Sequence, residues 1–137
     1  MNPDWLERTE LLIGENALQK LQKSKVLIVG LGGVGSFAAE FIARSGVGSM
    51  TIVDGDTVDK TNKNRQLPAL DSTTGHKKAK VMADRIMDIN PDIRLTVIDE
   101  FQKPEDNISL IQNGDFDYVM DCIDSVSPKL YLIKTCY

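Results

Sequence analysis

The residues best suited to chemistry are carboxylates, amides and cations that follow one short apolar segment, residues 50–53. They lie close together along the chain, and they are Asp54, Asp56, Asn62, Arg65 and Gln66, with Lys78 a little further on. Cationic side chains among such groups can hold a triphosphate and stabilise the charge that develops when it reacts. A separate carboxylate, Asp124, could bind Mg²⁺, which takes one or two protein carboxylates together with phosphate oxygens. Each residue alone could be a solvated charge or a helix cap, so the prediction of a nucleotide site depends on their occurring together.

A glycine-rich turn is the second chemical feature. It lies in the segment Lys25-Val-Leu-Ile-Val-Gly-Leu-Gly-Gly-Val-Gly-Ser36, and its glycines are Gly30, Gly32, Gly33 and Gly35. An apolar run precedes the turn, and Val34, Phe37, Ala38, Phe41 and Ile42 follow at helical spacing. The order strand, turn, helix aims backbone N–H groups and the positive end of a helix dipole at one point, where phosphate can bind. Glycine lets the backbone approach the anion closely.

The turn alone does not identify the nucleotide. Asp54 ends the second apolar strand, which also fits a nicotinamide dinucleotide enzyme whose carboxylate holds a ribose. A dinucleotide site does not need Arg65 and Lys78, because its pyrophosphate rests on backbone amides. The two cations therefore favour a triphosphate.

The apolar periodicity predicts the elements that position these groups. Residues 3–24 are predicted to be helical with a break at Gly14, and His76–Asn90 and Pro104–Asn113 are predicted helices. Strands are predicted at 25–29, 50–53, 94–98 and 118–123, the last of them buried. A final helix is predicted with Ser127 as its cap and Pro128 in its first turn. The polar stretch 55–75 is long for a connection and is predicted to be functional.

Alternating strands and helices predict an α/β fold, a Rossmann-like doubly wound, mostly parallel sheet with helices on both faces. The ends of strands one, two and four are expected along one edge, where such folds bind ligands. We divide the chain into an N-terminal helical segment, residues 1–24, and a nucleotide-binding domain, residues 25–137. Four strands are few for this architecture, so we expect the chain to be the first part of a larger domain.

Composition excludes several classes of protein. The chain has 137 residues, 42% of them hydrophobic and 26% charged, which is ordinary for a globular domain. No apolar run reaches the length of a membrane span. The net charge of −4 argues against nucleic-acid binding through bulk positive charge. Cys122 and Cys136 form neither a CxxC pair nor a disulfide framework, so we expect a reducing cytoplasm, with Cys122 a packing residue.

The combined motifs resemble a known superfamily. Gly30-Leu-Gly-Gly-Val-Gly35, Asp54-x-Asp56, Asn62-x-Asn-Arg-Gln66, Lys78 and Asp121-Cys-Ile-Asp124 are similar to the adenylating domain of ubiquitin-activating enzymes and of the thiamine and molybdopterin sulfur-carrier adenylyltransferases. The resemblance spans essentially the whole chain. It implies that the chain is the N-terminal part of a larger adenylating domain.

Within that superfamily, the sequence most resembles the tRNA threonylcarbamoyladenosine dehydratases. The similar segments are Arg8–Gly14, Ala43–Gly48, Thr61–Gln66, Asp88–Pro91 and Asp124–Val126. This resemblance implies an enzyme that uses ATP and Mg²⁺ to activate a carboxylate on tRNA carrying threonylcarbamoyladenosine. The activated carboxyl group is then attacked from within the modification, and a cyclic product forms with net loss of water.

The resemblance also implies a role for each matching residue. Gly32 and Gly33 would contact phosphate, and Asp54 the ribose. Asn62, Arg65 and Lys78 would hold the triphosphate, and Asp124 would bind magnesium. Arg8 would reach into the neighbouring subunit's site in a homodimer.

Other functions stay open from the sequence. One alternative is an adenylyltransferase that activates the Gly-Gly tail of a sulfur-carrier protein, although the chain has no CxxC pair for the structural zinc of those enzymes. A non-catalytic nucleotide-binding or dimerisation module is another, and a NAD-dependent oxidoreductase a third.

Overall fold

The computed structural model describes residues 2–137 of the chain. The strands are β1 (Lys25–Val29), β2 (Ser49–Val53), β3 (Arg94–Ile98) and β4 (Tyr118–Asp121). The α-helices are α1 (Glu7–Ile13), α2 (Glu15–Lys23), α3 (Gly35–Arg44), α4 (Lys78–Ile89), α5 (Pro104–Gly114) and α6 (Val126–Cys136). Short 3-10 helices span Asp4–Leu6, Lys60–Asn64 and Asp71–Thr73.

The four strands form one sheet in the order β3-β2-β1-β4. Every neighbouring pair is parallel, with Val29 opposite Val53 on one side and opposite Asp121 on the other. The carboxyl ends of the strands therefore share one edge of the sheet. The predicted α/β fold and the common edge for strands one, two and four are confirmed.

Alternate side chains of β1 enter two separate cores. Val26 and Ile28 pack with α3 and α4 on one face of the sheet, among residues such as Ala39 and Met82. Leu27 and Val29 pack on the other face, in a core that includes Leu132 of α6. A strand buried on both faces needs a continuous apolar run, which the segment 26–29 supplies. Helices on both faces are thus confirmed.

The N-terminal helices pack against the domain that follows them. Leu6 and Leu18 are fully buried, and a side chain added at Gly46 would lie 2.9 Å from Leu6 Cδ1. Gly14, which has a φ of +84°, separates α1 from α2, as the helix break predicted there requires.

Two predictions about the C-terminal part are wrong. The fourth strand ends at Asp121 and is not buried, since Tyr118 is 66% exposed. The cause is its position within residues 2–137, where β4 lies at the edge of the sheet and pairs with β1 alone. Ser125 occupies the N-cap position of the last helix, without a capping hydrogen bond from its side chain, so Ser127 lies inside the first turn and is not the cap. Pro128 fits there because the first turn does not use its missing N–H.

Helix α3 faces the sheet differently from what its apolar pattern suggests. Phe37 and Phe41 are exposed, whereas Ala39, Ala43 and the carboxylate-bearing Glu40 are buried. Small residues let the helix lie close to β1, and two arginines neutralise Glu40. Helix α3 therefore carries an exposed apolar stripe that includes Phe37 and Phe41.

No helix in residues 2–137 is both long and apolar enough to cross a membrane.

Candidate nucleotide-binding site

A cavity of about 350 Å³ opens at the carboxyl ends of β1, β2 and β4. Many of the residues predicted to bind nucleotide line it, namely Gly30, Gly32, Asp54, Asp56, Gln66, Lys78 and Asp124. The sheet topology therefore brings together residues that are far apart in the sequence. A second cleft of about 380 Å³ lies at the opposite edge, beside Trp5 and Arg94, and holds none of the predicted site residues.

The glycine turn is built from close backbone contacts. Gly30 has a φ of +96°, and a side chain there would lie 2.6 Å from the carbonyl oxygen of Cys122. A side chain at Gly35 would lie 1.7 Å from the carbonyl oxygen of Gly30. Both positions require glycine for steric reasons. The turn consequently holds its N–H groups at the start of α3, where a helix end favours an anion.

Asp54 connects the glycine turn to the loop after β2. Its Oδ2 accepts a hydrogen bond from Leu31 N at 2.8 Å, and its Oδ1 accepts one from Asp56 N at 2.8 Å. Each carboxylate oxygen has a second lone pair for a ligand hydroxyl. Asp54 is thus held rigidly at the cavity wall.

Lys78 is a nearly buried cation in the same wall. Its side chain is 5% exposed, and its Nζ lies 3.0 Å from Asp56 Oδ2. Burial raises the pKa of the Asp56 carboxyl, but the hydrogen bonds from Lys78 and Thr57 N outweigh it, so the pKa is lowered. A triphosphate could replace Asp56 as the partner of this ammonium group.

Asn62 and Arg65 lie beside the cavity and are not part of its lining. The Oδ1 of Asn62 accepts a hydrogen bond from Asp59 N at 2.9 Å, which fixes the 3-10 helix Lys60–Asn64. The guanidinium of Arg65 is exposed and bonds Asn64 Oδ1 at 2.8 Å. The stem of Arg65 lies against the glycine turn, because a side chain at Gly33 would be 3.5 Å from Arg65 Cγ. Contacts of Asn62, Arg65 and Gly33 with nucleotide stay predictions.

The loop after β4 presents Asp124 to the cavity. Asp121 holds this loop, since its Oδ1 accepts a hydrogen bond from Ile123 N at 3.2 Å and its Oδ2 lies 2.8 Å from Lys129 Nζ. Cys122 is half-buried, and burial together with Asp121 raises the pKa of its thiol. A raised pKa keeps the thiol protonated, which supports a packing role over a nucleophilic one.

The donor set fits Mg²⁺ bound together with phosphate. Within residues 2–137, no three His, Cys, Asp or Glu side chains form a cluster that could hold a metal ion. Asp124 is an exposed carboxylate in the cavity lining. One carboxylate plus phosphate oxygens and water is a common magnesium environment in proteins that bind nucleotides.

Two lining residues carry buried polar atoms that have no hydrogen-bond partner in the described part of the chain. They are Oε1 of Gln66 and Oδ1 of Asn107. Asn107 on α5 and Phe101 in the preceding loop also line the cavity and are not among the residues predicted from the sequence. The one sequence signal for Asn107 is its helical spacing from Leu110 and Ile111, which pack against one of the two cores.

Arg8 is separate from this site within one chain. It is exposed on α1, and it is not among the residues that line the cavity. Its predicted action across a dimer interface stays a prediction.

The fold and cavity define an α/β domain with a candidate nucleotide-binding site, and comparison with known proteins identifies its family. A profile of the ThiF family matches residues 6–137. The chain is 48% identical over 135 residues to the tRNA threonylcarbamoyladenosine dehydratase of Escherichia coli strain K12, covering 96% of this chain and 50% of that protein. The crystal structure of the E. coli enzyme in complex with ATP superposes with a TM-score of 0.91 at 46% identity, covering 98% of this chain and 56% of that one. The molybdopterin-synthase adenylyltransferase of E. coli strain K12 is 37% identical over 119 residues, covering 87% of this chain and 47% of that protein.

The chain therefore belongs to the ThiF family. It spans about half the length of the curated relatives reported above. The relatives reported above thus include an adenylyltransferase and an enzyme whose crystal structure holds ATP.

Proposed function

We propose that this protein activates the carboxylate of threonylcarbamoyladenosine in tRNA with ATP and then cyclises it with net loss of water. The observation that carries the proposal is the convergence of the glycine turn, Asp54, Lys78 and Asp124 on one cavity. The 48% identity to an enzyme named for this dehydration supports the choice of substrate.

The first step transfers the adenylyl group. A carboxylate oxygen of the modification attacks the α-phosphorus of ATP, the bond to the β-phosphate oxygen breaks, and pyrophosphate leaves. Because a carboxylate and a triphosphate repel each other, cations must offset the charge as they approach. Lys78 and Arg65 supply two of these cations, and the N–H groups of the glycine turn stabilise the phosphates.

In the second step, a nucleophile within the modification attacks the activated carbonyl carbon. The carbon–oxygen bond to AMP breaks, AMP leaves with that oxygen, and the nucleophile loses a proton. The sum is cyclisation with one water removed, at the cost of ATP cleavage to AMP and pyrophosphate. Asp54 holds the ribose so that the α-phosphate stays in place through both steps.

Magnesium is part of the proposal, with Asp124 as its protein ligand. The ion neutralises phosphate charge and favours pyrophosphate as a leaving group when it is bound. The Ile123 and Lys129 contacts of Asp121 keep the loop that carries Asp124 in position.

The proposed assembly is a homodimer in which Arg8 enters the partner's site. Large apolar side chains are exposed on α1 (Leu11 and Leu12) and on α3 (Phe37 and Phe41), and exposed apolar surface of this kind supports a protein interface. Mixed dimers test the role of Arg8. Combining Arg8→Ala with Arg65→Ala subunits restores part of the activity if the arginine crosses the interface, and no recovery contradicts that role.

The proposed location is the cytoplasm, where tRNA is modified and thiols stay reduced. Cys122 and Cys136 are both free, which agrees with a reducing compartment.

The function is tested by incubating protein expressed from its full natural reading frame with ATP, magnesium and modified tRNA. We expect AMP, pyrophosphate and a nucleoside that is lighter by one water, detected by mass spectrometry. Unchanged nucleoside with folded protein contradicts the proposal.

The second candidate is adenylation of a sulfur-carrier protein, favoured by the 37% identity to a molybdopterin-synthase adenylyltransferase. It predicts an acyl-adenylate on the Gly-Gly tail of a small partner protein. This candidate would be favoured if that adenylate forms and the threonylcarbamoyladenosine in the first assay stays unchanged.

A further inference from the structure

The two residues with unpaired buried oxygens line different parts of the candidate nucleotide cavity. Gln66 belongs to the phosphate part, because a side chain at Gly32 would lie 3.6 Å from Gln66 Nε2. Asn107 belongs to the wall formed by α5 and the loop before it, and it is 2% exposed. A polar atom buried without a partner costs free energy unless a ligand or water pairs with it. The position of Asn107 therefore points to a polar group of a ligand beside α5.

The wall near Asn107 adjoins the position proposed for the ribose. Gly55 follows Asp54, and a side chain at Gly55 would lie 2.3 Å from Phe101 N and 2.8 Å from Phe101 Cγ. The loop that carries Phe101 thus packs directly on the residue after Asp54. The Phe101 ring is 78% exposed and also lines the cavity, so it offers an aromatic face at the rim. A base attached to a ribose at Asp54 would extend toward this wall.

We propose that Asn107 recognises the nucleotide base, and that its side-chain amide hydrogen-bonds to the 6-amino edge of adenine. On this edge adenine presents the 6-amino donor beside the N7 acceptor, and a carboxamide presents the complementary pair. Hypoxanthine presents two acceptors, O6 and N7, on the same edge, so a carboxamide cannot pair with both in either orientation. The ring of Phe101 packs on a face of the base, as aromatic side chains do with any base. This inference rests on the proposed function, since it concerns the same ATP site, and it adds Asn107 as the residue that selects adenine.

Hypoxanthine is the probe that isolates this contact. Inosine triphosphate has the same sugar and phosphates as ATP, but it carries an oxygen where adenine has its 6-amino group. The wild-type protein binds ATP about 10- to 100-fold more tightly than inosine triphosphate in calorimetric titrations, because a buried polar group would lose its partner. In Asn107→Leu, ATP binding weakens to the level of inosine triphosphate, and the preference falls to about 1.

Three variants separate base recognition from structural effects. Asn113→Leu is the matched control, since it makes the same change on the same helix at an exposed position outside the cavity lining, and it keeps the preference for ATP. Phe101→Ala weakens ATP and inosine triphosphate equally, because stacking does not depend on the base edge. Asn107→Ser replaces Asn107→Leu if the leucine variant does not fold, and it also loses the preference.

Nuclear magnetic resonance tests the contact directly. The side-chain amide signals of Asn107, assigned by their absence in Asn107→Leu, shift further with ATP than with inosine triphosphate when each nucleotide saturates the site. If the wild type prefers ATP and both Asn107 variants keep that preference, the inference is overturned and the ATP site stands. Equal affinity of the wild type for both nucleotides overturns it as well. If the folded wild type binds neither nucleotide, the proposed function fails too.

Discussion

Asp54 and Leu31 are joined by a hydrogen bond of 2.8 Å, in which Leu31 N donates to Asp54 Oδ2. The contact connects the glycine turn after β1 to the end of β2, and the other carboxylate oxygen accepts from Asp56 N. One side chain thereby holds two walls of the cavity together before any ligand binds. Such preorganisation reduces the cost of ordering the site on binding.

We expect Asp54→Asn to loosen this connection. Asparagine offers one acceptor oxygen, and its NH₂ group would face one of the two N–H donors. The free energy of unfolding falls by about 1–2 kcal/mol, and ATP affinity falls about tenfold or more because a ribose contact is also disturbed. Chemical denaturation and calorimetry measure both effects. Asp71→Asn, which removes an exposed ion pair with Lys63, is the control and changes neither.

The glycine turn makes a steric prediction. In Gly35→Ala, the new methyl group would lie 1.7 Å from the carbonyl oxygen of Gly30, so the turn must open. We expect a loss of about 3 kcal/mol or more in the free energy of unfolding. Gly33→Ala meets no atom closer than 3.5 Å and keeps the fold. Thermal unfolding of the two variants compares them, and equal melting temperatures would show that the turn tolerates a side chain.

Glu40 predicts a pH dependence of stability. Its carboxylate is 7% exposed and bonds Arg85 and Arg44, and the hydrogen bond from Arg85 is the largest cause that lowers its pKa below 4.5. Because the folded pKa is depressed, the stabilisation is fully present above the unfolded value and is lost as pH falls through the folded value. Glu40→Gln therefore loses about 1–3 kcal/mol at neutral pH.

Denaturation of Glu40→Gln and the wild type across pH 3–7 checks this. The difference between their free energies of unfolding becomes smaller below about pH 4.5. Asp84→Asn removes an exposed pair with Lys80 and is the control that shows little change. A constant difference at every pH would mean that packing, not charge, accounts for the loss.

Lys78 and Arg65 are expected to act on the reaction rather than on the fold. Removal of either cation slows adenylation by about 10²–10³-fold, because an oriented positive charge is lost where negative charge develops. Lys78→Met, which keeps most of the buried stem, accompanies Lys78→Ala as a check on folding. Lys80→Ala removes an exposed lysine on the same helix and leaves the rate unchanged. Near-normal turnover in the Arg65 and Lys78 variants would show that neither cation acts on the reaction.

The sequence predicts the centre of the fold well because local and long-range signals agree there. The segment 26–29 is apolar at every position, and the glycine turn follows it at once, so β1, the turn and α3 could be placed without a structure. The site residues at the ends of β1, β2 and β4 follow from parallel topology alone. Asp54 and Asp124, which follow β2 and β4, therefore line one cavity, and Lys78 at the start of α4 lines it as well. Their roles in binding nucleotide stay predictions.

The wrong predictions for β4 and α3 have one physical cause. The apolar character of a side chain does not show whether other elements cover the face of the strand or helix on which it lies. Tyr118 and Met120 suggest a buried strand, but β4 lies at an edge. Phe37 and Phe41 are spaced like core residues and lie on the exposed face of α3. Asn107 shows the opposite case, a polar residue that is buried. Its sequence does not distinguish it from a solvent-exposed asparagine, and its burial and missing hydrogen-bond partner are visible only in the structure.

The oxygen transferred during activation gives the most direct test of the central claim, that this cavity supports adenylation of a carboxylate. The modified tRNA is prepared with ¹⁸O in the carboxylate of its threonylcarbamoyl group and is incubated with the protein, ATP and magnesium. Adenylation predicts that one ¹⁸O atom appears in AMP, because the carboxylate oxygen that attacks the α-phosphorus leaves with it. Label in inorganic phosphate together with ADP, or cyclised product with unlabelled AMP, would contradict the account.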